Sequence, residues 1–402
     1  MTPAETLERL LAIDGLEPLR ATPFLTDEPK IPVYVTRMGE DSWGQGAHPD
    51  PVTAQIKAAA EALERHCLLT PADDDSVTAR YGELSDQIDP VDFFCYSREQ
   101  TPDYEREIER IRGSKFHWTK VRDAVSGHQV MVPREFVYLD AGSHEERSIR
   151  RESITSGAAL GIAGSGDAFG RALFELIERD AFMGVWLRNE SPARIGGFSG
   201  EAAELISWLE RYRLDCRLFD LRGPLGVPAV LALTLDSSET GPAVTSGLAA
   251  ADNYDAAVSS AILESISYRR QVRIKAMSDE LPEITEPTDI TSVETRIAYW
   301  SRPERLGELP NWVGATASLA MKQLSEVSCP ATQAVRNLTD QGYRVMQADV
   351  TAPEAKSQGF EAVRLIVPEL HPLYLSESAK ALHSKRLGSI RADENPLPHP
   401  FA

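Results

Sequence analysis

One arrangement of acidic and basic residues occurs twice in this 402-residue chain, as Glu61-Ala62-Leu63-Glu64-Arg65 and as Glu175-Leu176-Ile177-Glu178-Arg179. Residues three and four apart on a helix share a face, so each copy projects two carboxylates and a guanidinium together. Two such helices facing each other would gather Glu61, Glu64, Glu175 and Glu178 around Arg65 and Arg179. That leaves an excess of negative charge, which calls for metal or further basic partners. A solvated helix face accounts for a single Glu-x-x-Glu. The second copy has a different setting, because Ala172-Leu173-Phe174 precede it and Ala181-Phe182-Met183 follow it, as in a buried helix.

Long helices must carry these side chains, and the pattern predicts one through the first copy, one over about 167–188 and a third over 254–276. Each follows a glycine-containing segment read as a loop: the turn-forming run Trp43 to Pro51, the run Ser156 to Gly166, and Thr245 to Asp252. A glycine loop before a helix presents backbone N–H groups at the positive end of the helix dipole, where phosphate can bind, and Ser156 is the candidate there. Glu61, Glu175 and Glu264 are the inward glutamates of the three helices. The result is a weak internal repeat around one pseudo-symmetric site. Arg269, five residues after Glu264, splays round the helix from it.

Around these helices the sequence predicts a short helix over 4–13 and a polar one near 104–112. Predicted strands cover 31–36, 93–96, 129–132, 136–139, 214–220, 228–236, 343–350 and 362–367, with further helices over 286–340. The class is mixed α/β, and 275–315 is the expected place for a lobe boundary. A hydrophobic content of 42% suits a large globular body, and a net charge of -19 disfavours nucleic acid while allowing one nucleotide to bind through Mg²⁺. Cys67, Cys95, Cys216 and Cys329 form no Cys-x-x-Cys pair and read as reduced thiols. The N-terminus lacks the pattern of a signal peptide and no apolar run approaches membrane length, so no membrane partner is expected and the location is cytoplasmic.

No His-Glu-x-x-His or Gly-x-Ser-x-Gly appears, so a serine or cysteine hydrolase is unsupported, and His66 reads as a packing residue. The segment Asn395-Pro396-Leu397-Pro398-His399-Pro400-Phe401-Ala402 is a stiff polyproline II tail. Stiffness there could deliver the chain end to a fixed point.

Taken together, the chain resembles the YcaO family, enzymes that use ATP to activate a peptide-backbone amide. The resemblance rests on the two Glu-x-x-Glu-Arg copies, Thr155-Ser156 and the small residues after it, Glu264 with Arg269, Asp349-Val-Thr-Ala-Pro353, Arg364-Leu-Ile-Val-Pro368 and the Pro-x-Pro-x-Pro tail. It implies a YcaO-type fold, with mixed sheets and long glutamate-bearing helices around a central nucleotide site. A helical segment over 1–20 would precede a YcaO domain over 21–402. It implies Mg²⁺ on Glu61, Glu64, Glu175 and Glu178, and ATP held by Lys57, Arg65, Ser156, Arg179, Glu264 and Arg269. Pro396, Pro398, Pro400 and the carboxylate of Ala402 would complete the catalytic apparatus. The implied activity is cyclodehydration of Cys, Ser or Thr in a ribosomally made precursor peptide to thiazolines and oxazolines, with a partner protein that binds the leader peptide. A thioamide-forming enzyme and a noncatalytic scaffold are the alternatives, and a homodimer is left open. The chain departs from the family pattern at Gln45 (usually Lys), Lys57 (usually Ser), Gly157 (usually Asn) and Ser267 (usually Gln). Lys57, one turn before Glu61, could replace the charge missing at Gln45.

Overall fold

The structure, a computed structural model, describes residues 1–71, 76–139, 149 and 156–401. Ala402 and Thr155 lie outside the described residues. Three antiparallel or mostly antiparallel sheets carry three long helices, Pro51–Leu69, Asp167–Leu187 and Tyr254–Met277. Asp50 caps the first helix, its Oδ2 accepting from the Thr53 N–H at 2.9 Å, with Pro51 in the first turn. Asn253 caps the third through the Ala256 N–H at 2.9 Å.

In the smallest of the three sheets, Arg20–Ala21, Val33–Met38 and Ser42–Ala47 pair in that order. The first helix packs on its last two strands. A second sheet runs Val244–Ala250, Ala229–Leu235, Asp215–Asp220, Ala193–Gly196 and Leu319–Ala320, and only the final pairing is parallel. A third runs Val77–Arg80, Lys115–Asp123, Met346–Asp349, Phe360–Ile366 and Ala158–Ile162, with Gln129–Pro133 beside Lys115–Asp123. The second helix contacts the edge strands Ala158–Ile162 and Val244–Ala250 of two different sheets, which places it between them.

All three segments read as glycine loops contain strands instead: Ser42–Ala47, Ala158–Ile162 and Val244–Ala250. Their glycines serve close approach of strand to helix. A Cβ on Gly44 would stand 2.1 Å from the Ala58 carbonyl oxygen, and one on Gly247 would stand 2.1 Å from that of Ala261. Both contacts fall fourteen residues on (44 to 58, 247 to 261), so the first and third units repeat the same strand-to-helix geometry. Glycine thus reads as a turn signal in the sequence while its missing side chain makes room for a helix backbone.

Other expectations also change. Residues 93–96 and 136–139 are not strands; short 3-10 turns, Pro90–Phe93 and Arg134–Phe136, bring Phe93 and Phe136 into a stack with ring centroids 4.0 Å apart. The nine-residue strand Lys115–Asp123 is missed because Lys115, Lys120, Arg122 and Asp123 dilute its apolar face, yet Phe116, Trp118 and Val121 are buried. Between 286 and 340 the helices are short, the longest being Val293–Trp300 and Ala331–Asp340. All four cysteines are free, and burial pushes the Cys67 thiol up to about 12. Among the described residues no helix is long and apolar enough to cross a membrane.

Candidate nucleotide and metal site

Each long helix returns a glutamate to the strand that precedes it. The Gln45 N–H donates to Glu61 Oε2 at 2.7 Å and the Leu248 N–H to Glu264 Oε2 at 2.5 Å, sixteen residues on in both cases. The Gly157 N–H donates to Glu175 Oε2 at 2.8 Å, eighteen residues on. An amide in the preceding strand, or for Glu175 just before it, thereby fixes each carboxylate, and the weak repeat seen in the sequence becomes one geometric device used three times.

Cross-links join the three units. Glu178, on the second helix, accepts from the Ala250 N–H of the third unit at 2.9 Å. Gln45, in the first, reaches Ser267 on the third helix, and the charge of Glu175 is felt at Glu64. Arg179 lies at the centre, with Nη1 2.9 Å from Glu178 Oε1 and Nη2 3.3 Å from Glu175 Oε1. Arg65 holds Glu61 Oε1 at 2.5 Å and donates to the Trp43 carbonyl at 2.8 Å.

Acid outweighs base here. Burial, and then the charges of Glu175 and Glu61, push Glu64 well above the carboxylate range. Burial raises Glu178 to about 8, against the pull of Arg179 and with Glu264 adding to the rise. Glu264 rises to about 7 through burial, opposed by Arg179 and the Leu248 N–H. Burial opposes the charge on Arg179, but Glu178, Glu175 and Glu264 outweigh it and hold its pKa above the ordinary value. Protons or cations must offset this charge.

The four glutamates read as metal ligands do not form a cage. Among the described residues no three His, Cys, Asp or Glu side chains close on one coordination sphere. Glu61, Glu175 and Glu178 each commit an oxygen to a backbone N–H, and all three pair with arginine. Such a set fits Mg²⁺, which commonly takes one or two carboxylates and fills its octahedron with water and phosphate oxygens.

The cleft beside these acids is lined by Trp43, Gln45, Glu61, Arg65, Glu264 and Ser267, with Tyr268 and Phe401. Lys57 is exposed overall, and desolvation lowers its pKa against the attraction of Glu264 and Glu201, so its charge is felt at the site.

Two expected ligand-binding residues are elsewhere. Arg269 is 2% exposed and donates Nε to Glu28 at 2.8 Å, Nη2 to Asp236 at 2.6 Å and Nη1 to the Pro242 carbonyl at 2.9 Å. Being five residues after Glu264 turns it into this buried network, whereas Tyr268, four after, faces the cleft. That spacing could have identified Tyr268. Ser156 is buried and lines a neighbouring cavity beyond Arg179. His66 stays outside the cleft, its Nε2 3.9 Å from Glu354.

The proline-rich segment is folded into the body. Asn395 Nδ2 donates to the Trp186 carbonyl at 2.7 Å, and Arg296 Nη1 donates to that of His399 at 2.8 Å. Ser246 Oγ donates to the Pro400 carbonyl at 2.9 Å. These bonds deliver Phe401 to the cleft, its ring centroid 4.1 Å from the Arg179 guanidinium carbon.

Comparison with known proteins gives one family. The YcaO cyclodehydratase family, described as binding ATP and Mg²⁺, matches residues 42–371. A search of curated proteins finds no match. A heterocyclase solved in complex with substrate and cofactor superposes with a TM-score of 0.78 at 17% identity, covering 100% of this chain and 57% of its own. The present chain thus spans little more than half of that protein. YcaO from Methanopyrus kandleri, solved with AMPPCP and Mg²⁺, gives 0.67 at 21% identity, covering 92% and 91%. A chain of the E. coli microcin synthetase McbBCD complex gives 0.70 at 16% identity, covering 94% and 93%. At these identities the likeness is one of fold.

Proposed function

Because this chain belongs to the YcaO family, whose members bind ATP and Mg²⁺, we propose that it is a cyclodehydratase that converts Cys, Ser or Thr of a ribosomally made precursor peptide into azolines. The observation that carries this reading is the convergence of Glu175, Glu178 and Glu264, each held by a backbone amide, on Arg179, with Phe401 seated against the same guanidinium. Mg·ATP, when bound, supplies the phosphoryl group that turns the amide oxygen into a leaving group.

The protein's own part is positioning and charge balance. Glu61, Glu64, Glu175 and Glu178, with Glu264 beside them, form the acidic set from which one or two carboxylates would hold each Mg²⁺, water and phosphate oxygens supplying the rest. Arg65 and Arg179 face the phosphates, and Lys57 adds positive charge at the rim. Prior pairing of both arginines with glutamates fixes their orientation before a nucleotide arrives. Phe401 and the segment Pro396 to Pro400 close one side of the cleft and exclude water from it.

A precursor peptide and a leader-binding partner complete the system, in the cytoplasm. The similar fold within the E. coli microcin synthetase complex, solved also with pro-MccB17 bound, supports that arrangement. The test is mass spectrometry of the precursor peptide incubated with the chain, its partner and Mg·ATP. ATP-dependent loss of water is expected. A sulfur-for-oxygen exchange would replace this reading with thioamide formation, and absence of ATP turnover would replace it with a scaffold.

A further inference from the structure

Arg179 lines a second cavity, and Phe401, stacked on its guanidinium, lines the acidic cleft. Beyond Arg179 from the glutamates lies this cavity, with Tyr96, Phe136, Leu176 and Tyr374 in its lining and Ala379 also part of its wall. No aspartate or glutamate among the described residues contributes to this lining, whereas Glu61 and Glu264 line the cleft on the other side. Two arginines reach it, and both are engaged with the protein. Arg179 is paired with Glu175 and Glu178, and Arg364 is buried, with Nε donating to the Phe136 carbonyl at 3.3 Å. An apolar group is therefore the better occupant.

His371 adds a buried polar feature to this lining. It is 1% exposed, and its backbone N–H donates to Asp180 Oδ1 at 2.8 Å, which ties it to the residue after Arg179. Burial holds its pKa down to about 4, so the ring is neutral at pH 7. Nδ1 lies 2.9 Å from the Pro372 carbonyl, which can only accept, so Nδ1 carries the proton. Nε2 is left as a buried acceptor with no hydrogen bond of good geometry among the described residues. A donor brought by a ligand would satisfy it.

We infer that this cavity is the acceptor-peptide pocket, which receives an apolar or aromatic side chain of the substrate while a neighbouring backbone N–H donates to His371 Nε2. The inference rests on the reading of the chain as a peptide cyclodehydratase. It places the peptide on the face of Arg179 opposite the metal and phosphates, so one guanidinium touches both reactants. It also makes the residue beside the modified Cys, Ser or Thr the one that the enzyme selects.

The probes are N-acetylphenylalanine methylamide and N-acetylaspartate methylamide, titrated by saturation-transfer NMR into the full chain with Mg·ATP present. The phenylalanine probe is expected to bind at least about tenfold more tightly, the scale of burying one aromatic side chain. Ala379→Trp, which fills the cavity, should weaken that probe by about tenfold or more and leave the affinity for Mg·ATP unchanged. Equal affinities, a preference for the aspartate probe, or phenylalanine binding that survives Ala379→Trp would overturn the inference. The comparison of probes on the unaltered chain decides the matter even if Ala379→Trp does not fold. A chain that selects the phenylalanine probe but fails to bind Mg·ATP would remove the nucleotide reading and leave the pocket standing.

Discussion

Gln45 and Ser267 lie 222 residues apart in the chain and touch: the Gln45 amide Nε2 donates to Ser267 Oγ at 2.6 Å and to the Ser267 carbonyl at 3.2 Å. Both are positions where the resemblance implied another residue, Lys and Gln, so the two expected departures form a single contact. A neutral bridge joins the first strand–helix unit to the third helix at the edge of the cleft. The departures at these two sites are therefore coupled, and they should be tested together.

Replacing both residues, Gln45→Lys with Ser267→Gln, sets an ammonium where the cleft has a neutral amide. Affinity for Mg·ATP is expected to rise by about tenfold, the scale of one added charge-assisted contact to phosphate. Gln45→Lys by itself should gain less, because it breaks the bridge to Ser267. Isothermal titration of the three proteins checks the order, and no gain in the double variant would mean that Lys57 already supplies the charge.

Glu64→Gln removes a carboxylate whose ionisation burial and its neighbours already oppose. Without ligand the variant should melt at the same temperature or slightly above, since Gln keeps the size and helix propensity of Glu. Affinity for Mg·ATP should fall by at least about tenfold if Glu64 serves the metal. Calorimetry showing equal affinity would take Glu64 out of the metal set.

The raised carboxylates predict a pH dependence with a definite sign. Glu264 at about 7 and Glu178 at about 8 bind protons in the folded state that the unfolded chain releases near 4.5. Their contribution to stability is thus full below about 4.5 and is lost as pH rises through 7 and 8. Ligand-free protein should melt at progressively lower temperature across that window, and saturating Mg·ATP should flatten the slope. A melting temperature that does not change from pH 6 to 9 would contradict the acidic surplus.

Phe401→Leu keeps most of the apolar volume and removes the ring that covers Arg179. Stability should fall by about 0.5–2 kcal/mol, the range of a cation–π contact. Peptide dehydration should drop further than stability does, while ATP binding stays close to that of the parent. Mass spectrometry of the peptide beside thermal melting separates the two effects, and unaltered dehydration would make the Phe401 contact purely structural.

Arg269→Met tests the corrected assignment of that residue. Its loss leaves Glu28 and Asp236 without their buried partner, a change that costs about 3–5 kcal/mol. Urea denaturation should show this loss while the folded fraction binds Mg·ATP with parental affinity. Reduced affinity at full stability would return Arg269 to the nucleotide.

The sequence by itself determined the acidic helices. Three-residue spacing puts Glu61 with Glu64, and Glu175 with Glu178, on shared faces however the helices pack, and the apolar run around the second pair marks it as buried. The order of three glutamate units and the two strands near 214–220 and 228–236 after the second helix were also legible, because period and composition are local properties. Tertiary structure alone decided what the glycines do. Gly44 and Gly247 look like turn formers until a helix carbonyl is found where a Cβ would stand. Gly157 has a φ of +89°, in the left-handed region, and a side chain there would meet Leu176 and the Leu365 carbonyl. The fate of Arg269 and Tyr268, one residue apart, depended on which face of their helix met Glu28 and which met the cleft. Such choices are made by contacts between segments more than two hundred residues apart, and no local pattern encodes them.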